Sequence, residues 1–315
     1  MGSEVLDELN RHAAAIGDDL RLVQGAGGNL SGKDGGLVWV KASGTRLGEA
    51  LDRPIFVGVD GPRAREDVLR MEDLRHVVVE LADERASRPS IETALHVLLP
   101  HRYVFHVHSV GAVAAAAQRE PAAVLDRLRE VAPVAWVPYA KPGIALARAV
   151  LAAQEAAGDS AETVFLLGNH GLLTAAGTAD RTRELIDEAE AVLRADDTPL
   201  TPGGDDPTEL APAGSLDAAG TRMLVGGVLT PDEAVFLGRR PFADAPDAGG
   251  SAVVTSEGAV LVREDLSADA REIALSFVAA ATHADPAAPV RYLDDDEVDA
   301  LVDWEAEKWR RGMER

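Results

Sequence analysis

The chain has no cysteine among its 315 residues. That removes disulfides, thiolate metal sites and cysteine nucleophiles together, and it leaves any metal to histidine and carboxylate. Aromatic side chains are scarce, at 4%, so aliphatic residues and alanine carry most of the packing. No apolar run approaches the roughly 20 residues that a membrane-spanning helix needs. The opening MGSEVLDELN carries acids where a secretion signal has basic and apolar residues, which points to the cytoplasm. Positive charge is the other deficit: 31 Lys and Arg stand against 53 Asp and Glu, a net charge of −22. A nucleic-acid binder needs a basic face, and no Lys/Arg cluster with interleaved aromatics occurs. The expected partner is a small molecule, with no nucleic acid and no membrane.

What is present is a chain with enough apolar residues for a large core, at 46% hydrophobic. Helix and strand patterns alternate to about residue 195, the mark of an α/β fold. The stretch 196–214, DDTPLTPGGDDPTELAPAG, is rich in Pro, Gly and acids and reads as a linker. This gives two parts: residues 1–200 as the catalytic domain, and 201–315 as a linker with a small α+β extension. Within the first, MEDLRHVVVELADERA (71–86) reads as a helix on the stripe Leu74, Val77, Val78, Leu81 and Ala82. RPSIETALHVLLP reads as a short helix with Ser90 as N-cap and Pro100 closing it. RYVFHVHS is a strand, and ETVFLLGNHGLLTAAG is a strand interrupted by a tight turn. Past the linker, EAVFLG and SAVVTSEGAVLV read as strands, SADAREIALSFVAAATHA as a helix, and DDDEVDALVDWEAEKWRRGM as a terminal amphipathic helix.

Histidines carry the clearest chemistry. His106 and His108 stand two apart in a run of β-formers, so both face one side of a strand and can converge on one ion. His170 sits in a turn between Gly168 and Gly171, where bare backbone lets a ligand come close. Glu92 and His96 lie one helical turn apart on one face. Together His106, His108, His170 and Glu92 make three neutral imidazoles and a carboxylate. That is the donor set of a divalent site, Zn²⁺ first, with Mn²⁺, Co²⁺ and Fe²⁺ as alternatives.

Gln24–Gly44 packs seven glycines into 21 residues. Gly25 and Gly27 fit the dinucleotide fingerprint, but Leu30 stands at its third glycine and a strand follows where a helix is required. A free linker is excluded by Leu37, Val38, Trp39 and Val40, which need burial nearby. What remains is a turn whose N–H groups, with Asn29, Ser31, Ser43 and Gly44, surround an anion. Lys41 or Lys33 would add charge for a phosphate or carboxylate.

In order, GGNLSGK…VWVKASGT, PSIETALHVLLPH…FHVHS, WVPYAKPG and NHGLLTAAG resemble the class II aldolase/adducin family. The wording is nearest the aldolase part of proteins that fuse a rhamnulose-1-phosphate aldolase to a short-chain dehydrogenase. The likeness covers residues 20–195, and LDDDEVDALVDWEAEKWR resembles the C-terminal helix of longer members. It implies a three-layer αβα domain around a central β-sheet, assembled as a cyclic homotetramer with active sites between neighbouring subunits. His106, His108 and His170 match the family's zinc ligands. Glu92 matches the acid that binds the ion in the empty site and acts as base when substrate arrives. Gly28, Asn29, Ser43, Gly44 and Ser90 match phosphate-binding positions, although Ile91 stands where a second serine often follows. Some members take a general acid from a tyrosine after the HxH strand. None lies between Ser109 and Pro138, and Glu130 is the acidic substitute, similar to the catalytic Glu of the family's dehydratases. The activity implied is a metal-dependent aldehyde-lyase: reversible retro-aldol cleavage of a ketose, as a ketose-1-phosphate, through a metal-stabilised enediolate. The alternatives are dehydration, decarboxylation or epimerisation of a sugar phosphate on the same site, and a non-catalytic adducin-like module.

Overall fold

A computed structural model describes residues 4–71, 74, 78–80, 88–119, 121–158, 160–193, 200, 209–210, 216–245, 248–282, 284–285, 287–302 and 304. The elements run α1 (Glu4–Gly17), β1 (Asn29–Asp34), β2 (Leu37–Lys41), a 3₁₀ turn (Leu47–Leu51), β3 (Phe56–Asp60), α2 (Gly61–Leu69), β4 (Val78–Glu80), α3 (Thr93–Leu98) and β5 (Tyr103–Val107). Then follow α4 (Val110–Ala116), α5 (Ala122–Arg129), β6 (Val134–Val137), α6 (Ile144–Ala157), β7 (Thr163–Leu167), β8 (Gly171–Ala176) and α7 (Ala179–Leu193).

These strands form one eight-stranded sheet in the order β4-β3-β2-β1-β5-β8-β7-β6. Every pairing is antiparallel except β6 with β7. The β1–β2 hairpin turns on Gly35 and Gly36, whose φ angles of 55° and 95° fit the right-handed twist of the two strands. On β5 the side chains alternate. Tyr103, Phe105 and Val107 join α1, α4, α5 and α7 in one core, while Val104 joins α2, α3 and α6 in the other. Helices therefore cover both faces of the sheet, the expected three-layer α/β arrangement. The two histidines of FHVHS fall on the Val104 side, because they share its parity along the chain.

The C-terminal segment adds β9 (Glu209–Leu210), α8 (Ala218–Val225), α9 (Pro231–Leu237), β10 (Phe242–Ala243), β11 (Ala252–Val254), β12 (Val260–Val262), α10 (Ala268–Ala281) and α11 (Asp295–Val302). Its four strands make a second sheet, β10-β11-β12-β9. The segment does not stand apart from the larger sheet: Leu224, Leu275 and Phe277 share one core with Val113 and Ala117, at and just beyond α4. Among the described residues, no helix is long and apolar enough to cross a membrane.

Three local expectations change. The helix expected over 71–86 is a strand at Val78–Glu80, paired antiparallel with β3; the β-branched run there suits an edge position. Most of the rest of that stretch lies outside the described residues. EAVFLG, expected as a strand, belongs to α9. Thr230 caps this helix by accepting the Glu233 N–H, and Pro231 occupies the first turn. Helix α3 begins after Glu92 rather than after Ser90, whose hydroxyl instead accepts the Glu92 N–H at 3.2 Å. The stretch SAVVTSEGAVLV is a hairpin as expected, β11 and β12. Helix α11 occupies the first part of the terminal helix, and residues 305–315 lie outside the described ones.

Candidate metal centre

β5 lies in the middle of the sheet, held on both sides by β1 and β8. That fixes His106, and it fixes His108 one residue beyond the strand end. β7 and β8 form a hairpin whose pairing closes at Leu167 and Gly171, leaving Gly168, Asn169 and His170 as a three-residue turn. Asn169 takes the left-handed conformation this turn needs, φ 53°, one that asparagine tolerates better than most residues. Gly171 is required for the fit, since a Cβ there would sit 2.5 Å from the Val107 carbonyl oxygen. The turn folds His170 back over the end of β5. Glu92 reaches the same point from the residue preceding α3.

The four side chains meet. His106 Nε2 lies 3.0 Å from His108 Nε2 and 3.3 Å from His170 Nε2. Glu92 Oε1 is 3.2 Å from His170 Nε2 and 3.7 Å from His106 Nε2. All four donor atoms fall within 4.8 Å of one another, and all four residues are buried.

Protons decide what this cluster can hold. His106 Nδ1 lies 2.8 Å from the Leu172 carbonyl, which only accepts, so Nδ1 carries the proton and Nε2 presents its lone pair. His108 Nδ1 lies 2.6 Å from Asp232 Oδ2 and donates to that carboxylate, with the same consequence. Two lone pairs therefore face each other at 3.0 Å with no proton between them, an arrangement that repels unless a cation lies between. Burial pushes the His106 imidazole down to about 3, more than Glu92 offsets, so it stays neutral at ordinary pH. Zinc–ligand bonds of 2.0–2.1 Å in a tetrahedron put donor atoms about 3.3–3.4 Å apart. Four of the six separations, at 3.0, 3.2, 3.3 and 3.7 Å, bracket that spacing, and none exceeds 4.8 Å. The donor set therefore fits a divalent ion with a small inward turn of the side chains that lie farthest apart.

A small cleft opens beside the cluster, lined by Ala26, Gly27, Gly28, Lys41, Ser43, Gly44, Ser90, Ile91, Glu92, His108, Pro142, His170, Pro231 and Asp232. The sequence candidates Gly28, Lys41, Ser43, Gly44, Ser90 and Glu92 all face it. Lys41 is buried, and its Nζ donates to the carbonyls of Ala26 and Thr45, both at 2.7 Å, tying the glycine loop to the Ser43–Thr45 turn. Gly28 has φ 66°, and a Cβ would meet Val23 at 2.6 Å and the His106 carbonyl at 3.0 Å. Asn29 is buried as the first residue of β1, paired in register with His106, and is not among the residues lining the cleft. Lys33 lies elsewhere: its ammonium donates to the Leu99 carbonyl at the far end of α3. His96 Nδ1 is 2.7 Å from Ser31 Oγ and binds α3 to β1. Glu130, exposed at the C-terminal end of α5, is also absent from the lining.

Sequence reasoning missed Asp232, and it assigned nothing to Asn169. Asn169 Nδ2 donates to the carbonyls of Leu229 (2.8 Å) and Arg291 (2.9 Å), while Arg291 Nη1 donates to Asn169 Oδ1 (2.9 Å). The only local signal was the helix start TPDE, which places Asp232 in the first turn of α9; nothing in it points across 124 residues to His108.

The sequence matches the family described as Class II Aldolase and Adducin N-terminal domain over residues 10–196. It is 28% identical over 209 residues to the uncharacterized oxidoreductase YuxG of Bacillus subtilis (strain 168). That match takes in 60% of this chain and only 29% of the relative's length. Among solved structures, the N-terminal class II aldolase domain of a conserved protein from Thermoplasma acidophilum is 26% identical with a TM-score of 0.49, covering 62% of this chain and 96% of that one. An L-fuculose 1-phosphate aldolase is 23% identical with a TM-score of 0.43, covering 61% and 84%.

Proposed function

The chain belongs to the class II aldolase and adducin family, and on that premise we propose that it is a metal-dependent lyase cleaving a ketose-1-phosphate by a reversible retro-aldol reaction. The observation that carries this reading is the meeting of three imidazole Nε2 atoms and Glu92 Oε1 within 4.8 Å, two of the imidazoles locked with lone pairs inward. His106, His108, His170 and Glu92 would hold the ion, Zn²⁺ first. When bound, it supplies a Lewis-acidic charge that offsets the negative charge developing on a ketone oxygen as the carbon–carbon bond breaks.

Glu92 is the proton carrier of this scheme. Its backbone is tied to the end of β2 by the Ser90 N–H to Lys41 carbonyl bond and to α3 by the Leu95 N–H to Glu92 carbonyl bond. Any turn of the carboxylate toward a substrate hydroxyl would thus be a side-chain rotation on a fixed backbone. The carboxylate takes that hydroxyl's proton as the aldehyde leaves and returns it to the carbon that kept the bonding electrons. Gly28, Ser43, Gly44 and Ser90, which line the cleft, would bind the phosphate through backbone N–H groups and hydroxyls, with Lys41 supplying positive charge behind them. Asn29, off the lining in β1, would only brace the loop. A homotetramer in the cytoplasm, with sites between subunits, belongs to the same reading. In it Glu130 reaches a site only across a subunit boundary, and its general-acid role belongs to the dehydration alternative, where it would protonate the departing hydroxide.

The test is purified full-length protein supplied with Zn²⁺, Mn²⁺ or Co²⁺ and screened against ketose-1-phosphates and their unphosphorylated analogues. Two carbon fragments are expected, with activity lost on chelation and absent from His106→Ala. Release of CO₂ or water, or an inverted carbinol centre, would move the assignment to a decarboxylase, dehydratase or epimerase on the same site. Cleavage that survives complete metal removal would end the proposal. A non-catalytic member would bind no metal; this chain is expected to bind about one ion at its four-residue donor set.

A further inference from the structure

The four donor side chains come from residues 92–170, but their surroundings do not. Three segments around the site are held by residues beyond 216. The Gly25 N–H donates to Glu272 Oε2 at 2.7 Å, Asn169 beside His170 is bonded to Leu229 and Arg291, and His108 donates to Asp232. The last of these touches a donor residue directly.

We propose that Asp232 is the positioning residue of the metal centre: it holds His108 with Nδ1 protonated and Nε2 aimed at the ion. This deepens the metal-site reading above and rests on it. The two strand histidines solve one problem in two ways. His106 takes its acceptor, the Leu172 carbonyl, from the neighbouring strand β8. His108 lies past the end of β5 and takes its acceptor from α9 instead. The residue doing so is well placed for precision. Asp232 is buried, and it sits in a helix start fixed by the Thr230 cap and by packing of Ala234 and Val235 on Leu293, Val298 and Leu301. Gly27 leaves room for the pair, since a Cβ there would lie 3.3 Å from His108 Nδ1 and 3.6 Å from Asp232 Oδ2. A carboxylate also holds the Nδ1 proton more firmly than a carbonyl does, which keeps the His108 ring oriented with its Nε2 lone pair toward the other donors.

Partners of this kind contribute about 10–100-fold to metal affinity. The experiment measures Zn²⁺ affinity of the full chain by competition with a chromophoric chelator, and Co²⁺ binding by its visible absorption. Asp232→Asn keeps an acceptor but removes the charge, and should weaken both ions by about tenfold or more with a changed Co²⁺ spectrum. Asp269→Asn alters an equally buried carboxylate of the same segment that bonds Arg46 and no histidine; its affinity should match the natural chain. Nitrogen-15 NMR of the unmutated, metal-free protein reads the His108 tautomer without any substitution, and the Nδ1–H form is expected. Unchanged affinity and spectrum in Asp232→Asn, or an Nε2–H tautomer at His108, overturns the inference while leaving the metal site standing. Failure of the natural chain to bind either ion overturns the metal reading itself.

Discussion

Replacing Asn169 with alanine removes a side chain that is 1% exposed and carries three hydrogen bonds at 2.8–2.9 Å. The two bonds to the carbonyls of Leu229 and Arg291 are worth about 1 kcal/mol each, and the one from the Arg291 guanidinium about 1.5–3 kcal/mol. Alanine also loses the tolerance that asparagine has for φ 53°, at a cost of about 1 kcal/mol. The sum is about 4–6 kcal/mol, large against the 5–15 kcal/mol that separates folded from unfolded domains. Asn169→Gly loses the same three bonds but accepts the positive φ, so it should be more stable than the alanine variant by about 1 kcal/mol. Equilibrium urea denaturation in the presence of a chelator separates these stabilities from any effect of bound ion. Asn169→Ala within about 1 kcal/mol of the natural chain, or Asn169→Gly the less stable of the two, would refute the claim that this side chain clamps the His170 turn.

Glu233 is buried, and loss of hydration pushes its carboxyl up to about 8, although the N–H groups of Leu229 and Thr230 pull the other way. In the unfolded chain the same group titrates near about 4.3. Between those values the folded form keeps a proton that the unfolded form has lost. Stability from this group is therefore whole below about pH 4.3 and declines as pH rises toward 8, by up to about 1.4 kcal/mol per pH unit. Glu233→Gln should gain stability on the natural chain progressively from pH 5 to pH 8; a constant difference in urea midpoint across that range would sink the assignment. Gly171→Ala places a Cβ 2.5 Å from the Val107 oxygen and should lose about 1–3 kcal/mol by overpacking. Gly177→Ala, with nothing within 4 Å, should stay within about 0.5 kcal/mol. Equal melting temperatures for the two alanine variants would show that the end of β5 gives way.

Much of the site could be read from the sequence because its strongest signals are local. An HxH in a run of β-formers already says that two imidazoles share a face, and Gly168 to Gly171 already says that a turn brings a ring close to backbone. That Glu92 and His170 would arrive at the same point came from pooling donor types and was then matched by the order of family motifs, since no spacing in the sequence encodes it. EAVFLG was misread for a simple reason: four apolar residues in a row fit a strand or a buried helix equally, and the decision belonged to Thr230 and Pro231 just before them. The reverse happened at Val78–Glu80, where an apolar stripe at helical spacing gave way to pairing with β3. Asp232 lay out of reach for a different reason. Its meaning exists only once α9 has packed beside the sheet, and no periodicity in either segment encodes that contact.

The contacts from Leu229, Asp232 and Arg291 to the turn and strand that carry the histidines also fix an order of events during synthesis. A ribosome delivers His106, His108 and His170 before it delivers these groups. In the growing chain His106 therefore already has its Leu172 acceptor, while His108 still lacks Asp232 and the His170 turn still lacks its bonds to Leu229 and Arg291. A piece of this chain ending near residue 196 would carry all four donor residues without the Asp232 and Arg291 contacts, and its donor set would be held less rigidly.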